Sequence, residues 1–160
     1  MTVDQLIHKL EEIYGGNPWH GASMTGLLSS VPNEHFSLPV SPGEKTISHI
    51  LEHIIAWRQF AIEKLKENQS FDIPLNTEAD WPKPQSSSNP KQYYLDRLNQ
   101  SQRELLSLLK TKDDTWLNED THNKSYKNNY LIQGIVEHDL YHSGQIGIFN
   151  SLLVAQNNSN

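Results

Sequence analysis

The feature of this chain that most limits its fold is a run of apolar positions, three or four residues apart, near the carboxyl end. Residues at that spacing lie along one side of an α-helix, and such a side has to be buried against other helices. The run consists of Leu131, Ile135, His138, His142, Ile146, Phe149 and Leu153. Two of these positions are histidines. An imidazole buried in a helical bundle needs a partner for its ring nitrogens.

The same spacing recurs in earlier segments and predicts further helices. The predicted elements are a first helix that follows a capping box at Thr2–Gln5 and ends at Gly15, a short helix over 22–30, a second long helix over 47–65, a third that starts with Asn89 as N-cap and Pro90, and a fourth that starts near Asn129. Positions 47–65 are apolar on nearly every side, so we expect this second long helix at the centre. The polar, proline-bearing segment 68–89 is long enough to cover a site.

Composition and pattern together indicate the fold class. No segment alternates between apolar and polar residues as a half-buried strand does, and no internal repeat is visible. A chain of 160 residues, 36% of them hydrophobic, has the size of one domain. We therefore predict an all-α four-helix bundle with long connecting loops over residues 1–160, in up-down or crossover connection.

The net charge and the amino-acid composition limit the kinds of partner that the protein can bind. The net charge of −6 and the scattered Lys and Arg argue against nucleic acid, and no stretch is apolar enough to predict a membrane partner. The first residues lack a basic and apolar leader, so we expect a cytoplasmic protein. Without cysteine, a metal site would have to use His, Asp or Glu.

The histidine spacing predicts a metal site. His138 and His142 are four residues apart on the same side of a helix, so both imidazoles can bind one ion. The second long helix carries His49 and His53 with the same spacing. His53 is the better third ligand because it lies one turn from Ile50 and from Trp57. For His49, a hydrogen bond at the helix start is the preferred interpretation.

Three imidazoles leave one or more coordination positions open, as in catalytic rather than structural sites. Nitrogen ligands suit Zn, Ni, Cu and Fe, and we expect a divalent ion, with zinc or nickel first. The competing interpretation is that these are core histidines satisfied by hydrogen bonds. We expect His8, His35 and His122 to lie on polar faces or loops, outside any site.

Two neighbours of the histidines are candidate catalytic residues. Asp139 occupies the place that Glu takes in the H-E-x-x-H motif of metalloproteases, but its side chain is one methylene shorter. It could act as a base, orient an imidazole or pair with a neighbouring helix, and the same ambiguity applies to Glu137. Tyr141 could donate a hydrogen bond to a substrate or pack at the rim of the bundle.

Three segments of the sequence resemble the DinB-like superfamily. They are Trp19-His20-Gly21-Ala22-Ser23, the stretch 47–57, and the stretch Gln133–Ile146, of which the last is the most specific. The resemblance implies a four-helix bundle, often homodimeric, that holds a divalent metal through one His of the second helix and two of the last. Those positions are His53, His138 and His142.

Relatives in this superfamily include transferases and isomerases that use low-molecular-weight thiols, proteins described as metal-dependent hydrolases, and many without a known reaction. The segment that contains His20 resembles a subgroup without an assigned activity, so His20 either approaches the site or caps the next helix. Three hypotheses follow: a hydrolase-like metal enzyme acting on a small molecule, a thiol S-transferase, and a non-catalytic metal-binding or structural homodimer. A transferase needs cations for the thiol's carboxylates, and Arg58, Arg97 and Arg103 are the candidates.

Overall fold

The structure, a computed structural model, describes residues 1–158, and within them it contains five α-helices and no β-strand. The helices are α1 (Val3–Gly15), α2 (Met24–Ser30), α3 (Ile47–Leu65), α4 (Pro90–Leu109) and α5 (Asn128–Asn157). Two short 3-10 helices, Asn33–Phe36 and Trp116–Asn118, lie in the connections. The all-α prediction is confirmed.

Local chemistry sets the helix ends. Thr2 and Gln5 form the expected capping box at the start of α1. Asn89 caps α4, and Pro90 occupies its first turn. The short helix starts two residues later than position 22 because the Ser23 hydroxyl accepts a hydrogen bond from the Gly26 amide and so defines the first turn.

The four long helices form a bundle in which α3 packs against both α4 and α5. Helix α1 packs against the same two helices, so α1 and α3 occupy opposite corners. Most side chains of α3 are buried, as expected for a central helix. The apolar surface of α3 is thus covered within one chain.

A buried ion pair joins α3 to α5 inside the bundle. The Arg58 guanidinium is fully buried and donates to both carboxylate oxygens of Asp139, the shortest distance being 2.6 Å. Arg58 also donates to Ser101 and Gln102 of α4, and Gln102 in turn donates to the Leu10 carbonyl of α1. One polar network therefore links all four long helices.

Residue His35 is not where the sequence predicted it. It lies in the 3-10 helix Asn33–Phe36, is 2% exposed, and its Nδ1 lies 2.7 Å from the Asn150 side-chain oxygen of α5. The expectation of a loop histidine was wrong because residues 31–45 have no period that reveals which side chains turn inward. Within residues 1–158, no helix has both the length and the hydropathy needed to cross a bilayer.

Candidate metal centre

The bundle brings His53 of α3 together with His138 and His142 of α5. One ring nitrogen from each lies within 4.8 Å of the other two. The Nε2 atoms of His53 and His138 face each other at 3.0 Å. The rings of His138 and His142 are 4.4 Å apart between centroids, as expected for residues one helical turn apart. The sequence prediction that these three imidazoles meet is confirmed.

The orientation of His53 is set from a loop. Its Nδ1 donates to the backbone carbonyl of Asp80 at 2.6 Å and lies 3.1 Å from the Asp80 carboxylate. The same carboxylate accepts hydrogen bonds from Trp57 Nε1 and from the Asn76 amide. With its Nδ1 proton engaged in this way, His53 presents the Nε2 lone pair to the cluster, as metal-binding histidines commonly do.

His142 is oriented by a similar contact, and His138 is not. The Nδ1 atom of His142 donates to the Gln145 side-chain oxygen at 2.6 Å, one turn further along α5. The Nδ1 atom of His138 is buried and meets no hydrogen-bond partner within residues 1–158. Packing, including the Trp57 ring at 6.2 Å, holds the His138 ring in place.

All three imidazoles are held neutral. Burial lowers the pKa of His53 and of His142 below the usual value. Burial, helped by the neighbouring His142 and His53, lowers the pKa of His138 to about 3. Because only neutral imidazole binds a metal, these rings are competent ligands at neutral pH without having to lose a proton.

The three nitrogens fit a divalent ion. A metal–nitrogen bond of about 2.1 Å allows ligand nitrogens up to about 4.2 Å apart, so the observed spacing requires only small side-chain adjustments. The 3.0 Å contact between the Nε2 atoms of His53 and His138 fits a hydrogen bond, in which one Nε2 donates to the other, and a cation could take the place of the shared proton. An all-imidazole donor set suits zinc, nickel, copper or iron and does not select one of them.

A loop covers the cluster. We call residues 66–89, which join α3 to α4, the covering loop. Its Trp81 ring stacks on the His53 ring at 3.9 Å between centroids and with an interplanar angle of 6°. The Lys45 ammonium lies over the Trp81 ring, 2.8 Å from the ring centroid. The cluster is therefore shielded from solvent on the side of His53.

His49 caps the start of α3 and does not belong to the cluster. Its Nδ1 lies 3.2 Å from the Thr46 amide and 2.9 Å from the Thr46 hydroxyl, which completes a capping box at the start of α3. The helix-start interpretation of His49 is confirmed.

The catalytic candidates differ in how they are placed relative to the cluster. Both carboxylate oxygens of Asp139 are bound by Arg58, so Asp139 pairs with a neighbouring helix rather than serving as a base. One residue along a helix turns a side chain by about 100°, which directs Asp139 into the bundle core. Glu137 is exposed on α5. Tyr141 is exposed as well, but its ring packs edge to face against the His142 ring at 4.9 Å between centroids, so it lies at the rim of the cluster. His20 is exposed too, beside a cavity that Leu27 and Ser143 also line.

The three arginines do not form a free cationic pocket at the cluster. Arg58 is paired with Asp139, and Arg97 donates to Glu52 at 2.7 Å. Arg103 is exposed on α4. The cation that does lie near the cluster is Lys45.

Sequence reasoning missed Asp80, Trp81, Gln145 and Lys45. Gln145 could have been found, because it lies three residues after His142 on the same side of α5. Asp80 and Trp81 belong to a loop without a period, and their adjacency in an otherwise small and polar stretch is the one signal that marks them.

The sequence of this chain matches one family of known proteins. The model of the DinB family matches residues 1–151, nearly the whole chain. Searches of curated proteins and of solved structures found no significant match.

Proposed function

Because the chain belongs to the DinB family, we propose that it is a divalent-metal-dependent enzyme that acts on a small molecule, with His53, His138 and His142 as the metal ligands. The observation that carries the proposal is the convergence of three neutral imidazoles, two of them oriented through Nδ1. A divalent cation supplies Lewis-acid chemistry, which makes a nucleophile or a polarised carbonyl more reactive at neutral pH. Zinc or nickel is the expected ion.

The roles of the surrounding residues follow from their contacts. Asp80 holds His53 in the tautomer that offers Nε2, and Gln145 does the same for His142. Trp81 and Trp57 exclude water from the His53 side of the cluster. The Asp80 carboxylate, itself buried, also offsets part of the positive charge that a bound cation would bring.

Of the two enzyme classes, we favour a hydrolase-like reaction. A transferase that binds an acidic thiol needs cations at the cluster, but Arg58 and Arg97 are both engaged in ion pairs. The observation in favour of a thiol S-transferase is Lys45, whose ammonium lies beside Trp81 at the edge of the cluster. The third candidate is a bundle in which the metal has no catalytic task.

A paired assay separates these candidates. Protein purified without a nickel column is loaded with zinc or with nickel and given p-nitrophenyl acetate, or a low-molecular-weight thiol together with an aryl halide. A hydrolase-like site predicts metal-dependent ester cleavage that His142→Ala abolishes and His8→Ala, an exposed histidine on α1, leaves unchanged. Thiol transfer without ester cleavage would favour the transferase. Metal binding without either reaction would favour the structural bundle.

We also propose a homodimer. The support is a set of exposed apolar side chains on the second half of α5, where Ile148 is 61% exposed and Leu152 and Val154 are also accessible. Ile148 and Leu152 lie one helical turn apart on the same side of α5, and adjoining exposed apolar side chains mark contact surfaces. Sedimentation at micromolar concentration should give twice the monomer mass, and Ile148→Asp should return the protein to monomer. A wild-type monomer would contradict the proposal.

A further inference from the structure

A cavity of about 310 Å³ lies beside the histidine cluster, between α3, α5 and the end of the loop that precedes α5. Its walls include the aromatic rings of Trp57, Phe60, Tyr126 and Tyr130. His138 is part of the wall as well, so the cavity and the cluster share a residue. We call this space the aromatic cavity.

The aromatic cavity is almost entirely apolar. None of the residues that line it carries a formal charge when His138 is neutral. Two ammonium groups, those of Lys64 and Lys124, lie over the Phe60 ring, but Lys64 donates to the Phe71 carbonyl and Lys124 pairs with Asp72. A carboxylate in this space would lose its hydration without gaining a partner, whereas an ammonium group would regain part of that loss from the faces of the aromatic rings.

The cavity exists in part because residue 134 has no side chain. A Cβ atom added at Gly134 would meet no atom within 4 Å, so no neighbouring helix requires a glycine there. A glycine inside a helix costs about 1 kcal/mol relative to alanine. The space beside Gly134 is therefore part of the aromatic cavity. The glycine that leaves this space open makes α5 less stable than an alanine would.

From this geometry we propose that the aromatic cavity binds the apolar, uncharged part of the substrate, a flat ring or a branched alkyl group, next to the metal ligand His138. An apolar pocket of roughly 150 Å³ holds a benzene ring, so this one accommodates a substituted or bicyclic ring. The link to catalysis rests on the proposed function. Binding in the cavity itself needs no metal.

Three ligands of one shape and different charge test the proposal. Indole, indole-3-acetate and tryptamine are titrated into the protein by calorimetry, as purified and again after chelation, because a carboxylate or an amine can also bind a cation. We expect indole to bind at least about tenfold more tightly than indole-3-acetate in both forms, since the cavity offers no partner for a carboxylate. Tryptamine should bind with intermediate affinity, because the aromatic faces offset part of the lost hydration of its ammonium group. Either charged compound binding as tightly as indole would overturn the proposal.

Substitutions locate the binding site. Gly134→Leu fills the cavity and should weaken indole binding by about tenfold or more. Gly144→Leu is the matched control, because Gly144 also lies inside α5 with open space at its Cβ position, but does not line the aromatic cavity. If Gly134→Leu fails to fold, Tyr130→Ala serves instead, since Tyr130 is 67% exposed and its loss spares the core. If Gly134→Leu binds indole as tightly as the wild type, the proposal is overturned. The same holds for Tyr130→Ala when that variant is used in place of Gly134→Leu.

The metal content of the same samples separates this inference from the proposed function. If the protein binds indole but takes up no metal, the aromatic cavity is supported as a binding site and the proposed metal-dependent function is contradicted. Metal uptake in a protein that does not bind indole would overturn this inference and leave the proposed function in place.

Discussion

The role of each histidine in this protein depends on what its Nδ1 atom contacts. In His53 and His142 the Nδ1 atom is held by an oxygen, which leaves Nε2 for the cluster. In His49 the Nδ1 atom caps a helix, and in His35 it meets a side-chain amide in the core. The residue type alone therefore predicts little, and the partner of the second nitrogen decides the function.

The depressed pKa of His138 makes the stability of the metal-free protein depend on pH. Its pKa falls from about 6.5 in the unfolded chain to about 3 in the folded one, mainly through burial. The unfolded state therefore binds more protons below neutrality, and stability decreases as pH falls. Between pH 7.5 and pH 5, the protonation of His138 in the unfolded state should lower the free energy of unfolding by about 2 kcal/mol. Urea denaturation at the two pH values measures this difference.

The matched variants for this experiment are His138→Ala and His8→Ala. The first should show a smaller loss of stability between the two pH values, because the titrating group is gone. The second, an exposed histidine, should keep the wild-type pH dependence. Identical pH dependence in wild type and His138→Ala would show that His138 is not held neutral by the fold.

Asp80 should matter to metal binding although it is not a predicted ligand. Asp80→Ala removes the carboxylate beside His53 Nδ1 and the acceptor of the Trp57 indole, so the His53 ring loses part of its orientation. Loss of such an orienting contact typically weakens metal binding by about 10–100-fold. Glu78→Ala, an exposed acidic residue on the same covering loop, should leave the affinity unchanged. Equal zinc affinities in the two variants would contradict this role.

At the scale of elements, the Arg58–Asp139 pair fixes how α3 and α5 lie against each other. Asp139 directly follows His138, and Arg58 lies five residues after His53, so the ion pair joins the two helices that supply the histidines. Burial raises the pKa of Asp139, and the Arg58 charge opposes that rise. The carboxylate thus depends on its partner to remain charged in the core.

Removing one partner of the Arg58–Asp139 ion pair should lower the free energy of unfolding more than replacing both partners. Arg58→Met leaves the buried Asp139 carboxylate without a cation and should lower the free energy of unfolding by about 3–5 kcal/mol. The double variant Arg58→Met/Asp139→Leu should recover most of that loss, because two apolar side chains need no partner. A double variant as unstable as the single one, in thermal or urea denaturation, would argue against this account.

The parts of the structure that could be predicted are those with local signals. Caps such as Asn89 and Thr2 depend on neighbours three residues away, so the helix starts were predicted to within two residues or better. The meeting of His53, His138 and His142 followed from helical spacing. Asp80 and Trp81 were not predicted, because a loop has no period and its path depends on distant contacts such as Lys124 with Asp72.

At the scale of the whole molecule, the core should fold without a metal. Apolar side chains from α1, α3, α4 and α5 pack in the bundle, and the Arg58 network links the same four helices. We therefore expect chelation by EDTA to leave the helical circular dichroism signal intact at room temperature and to lower the melting temperature, because a ligand that binds the folded state alone stabilises it. Cooperative loss of helix on chelation would indicate a structural rather than a catalytic metal.

The central claim is that three histidines from two helices hold one divalent ion, and elemental analysis tests it most directly. Protein purified without a tag or a nickel column is dialysed against dilute zinc and nickel, and bound metal is counted per chain. We expect about one ion per chain in wild type, at least about tenfold weaker binding in each of His53→Ala, His138→Ala and His142→Ala, and no change in His8→Ala. The same metal content and affinity in wild type and all three cluster variants would contradict it.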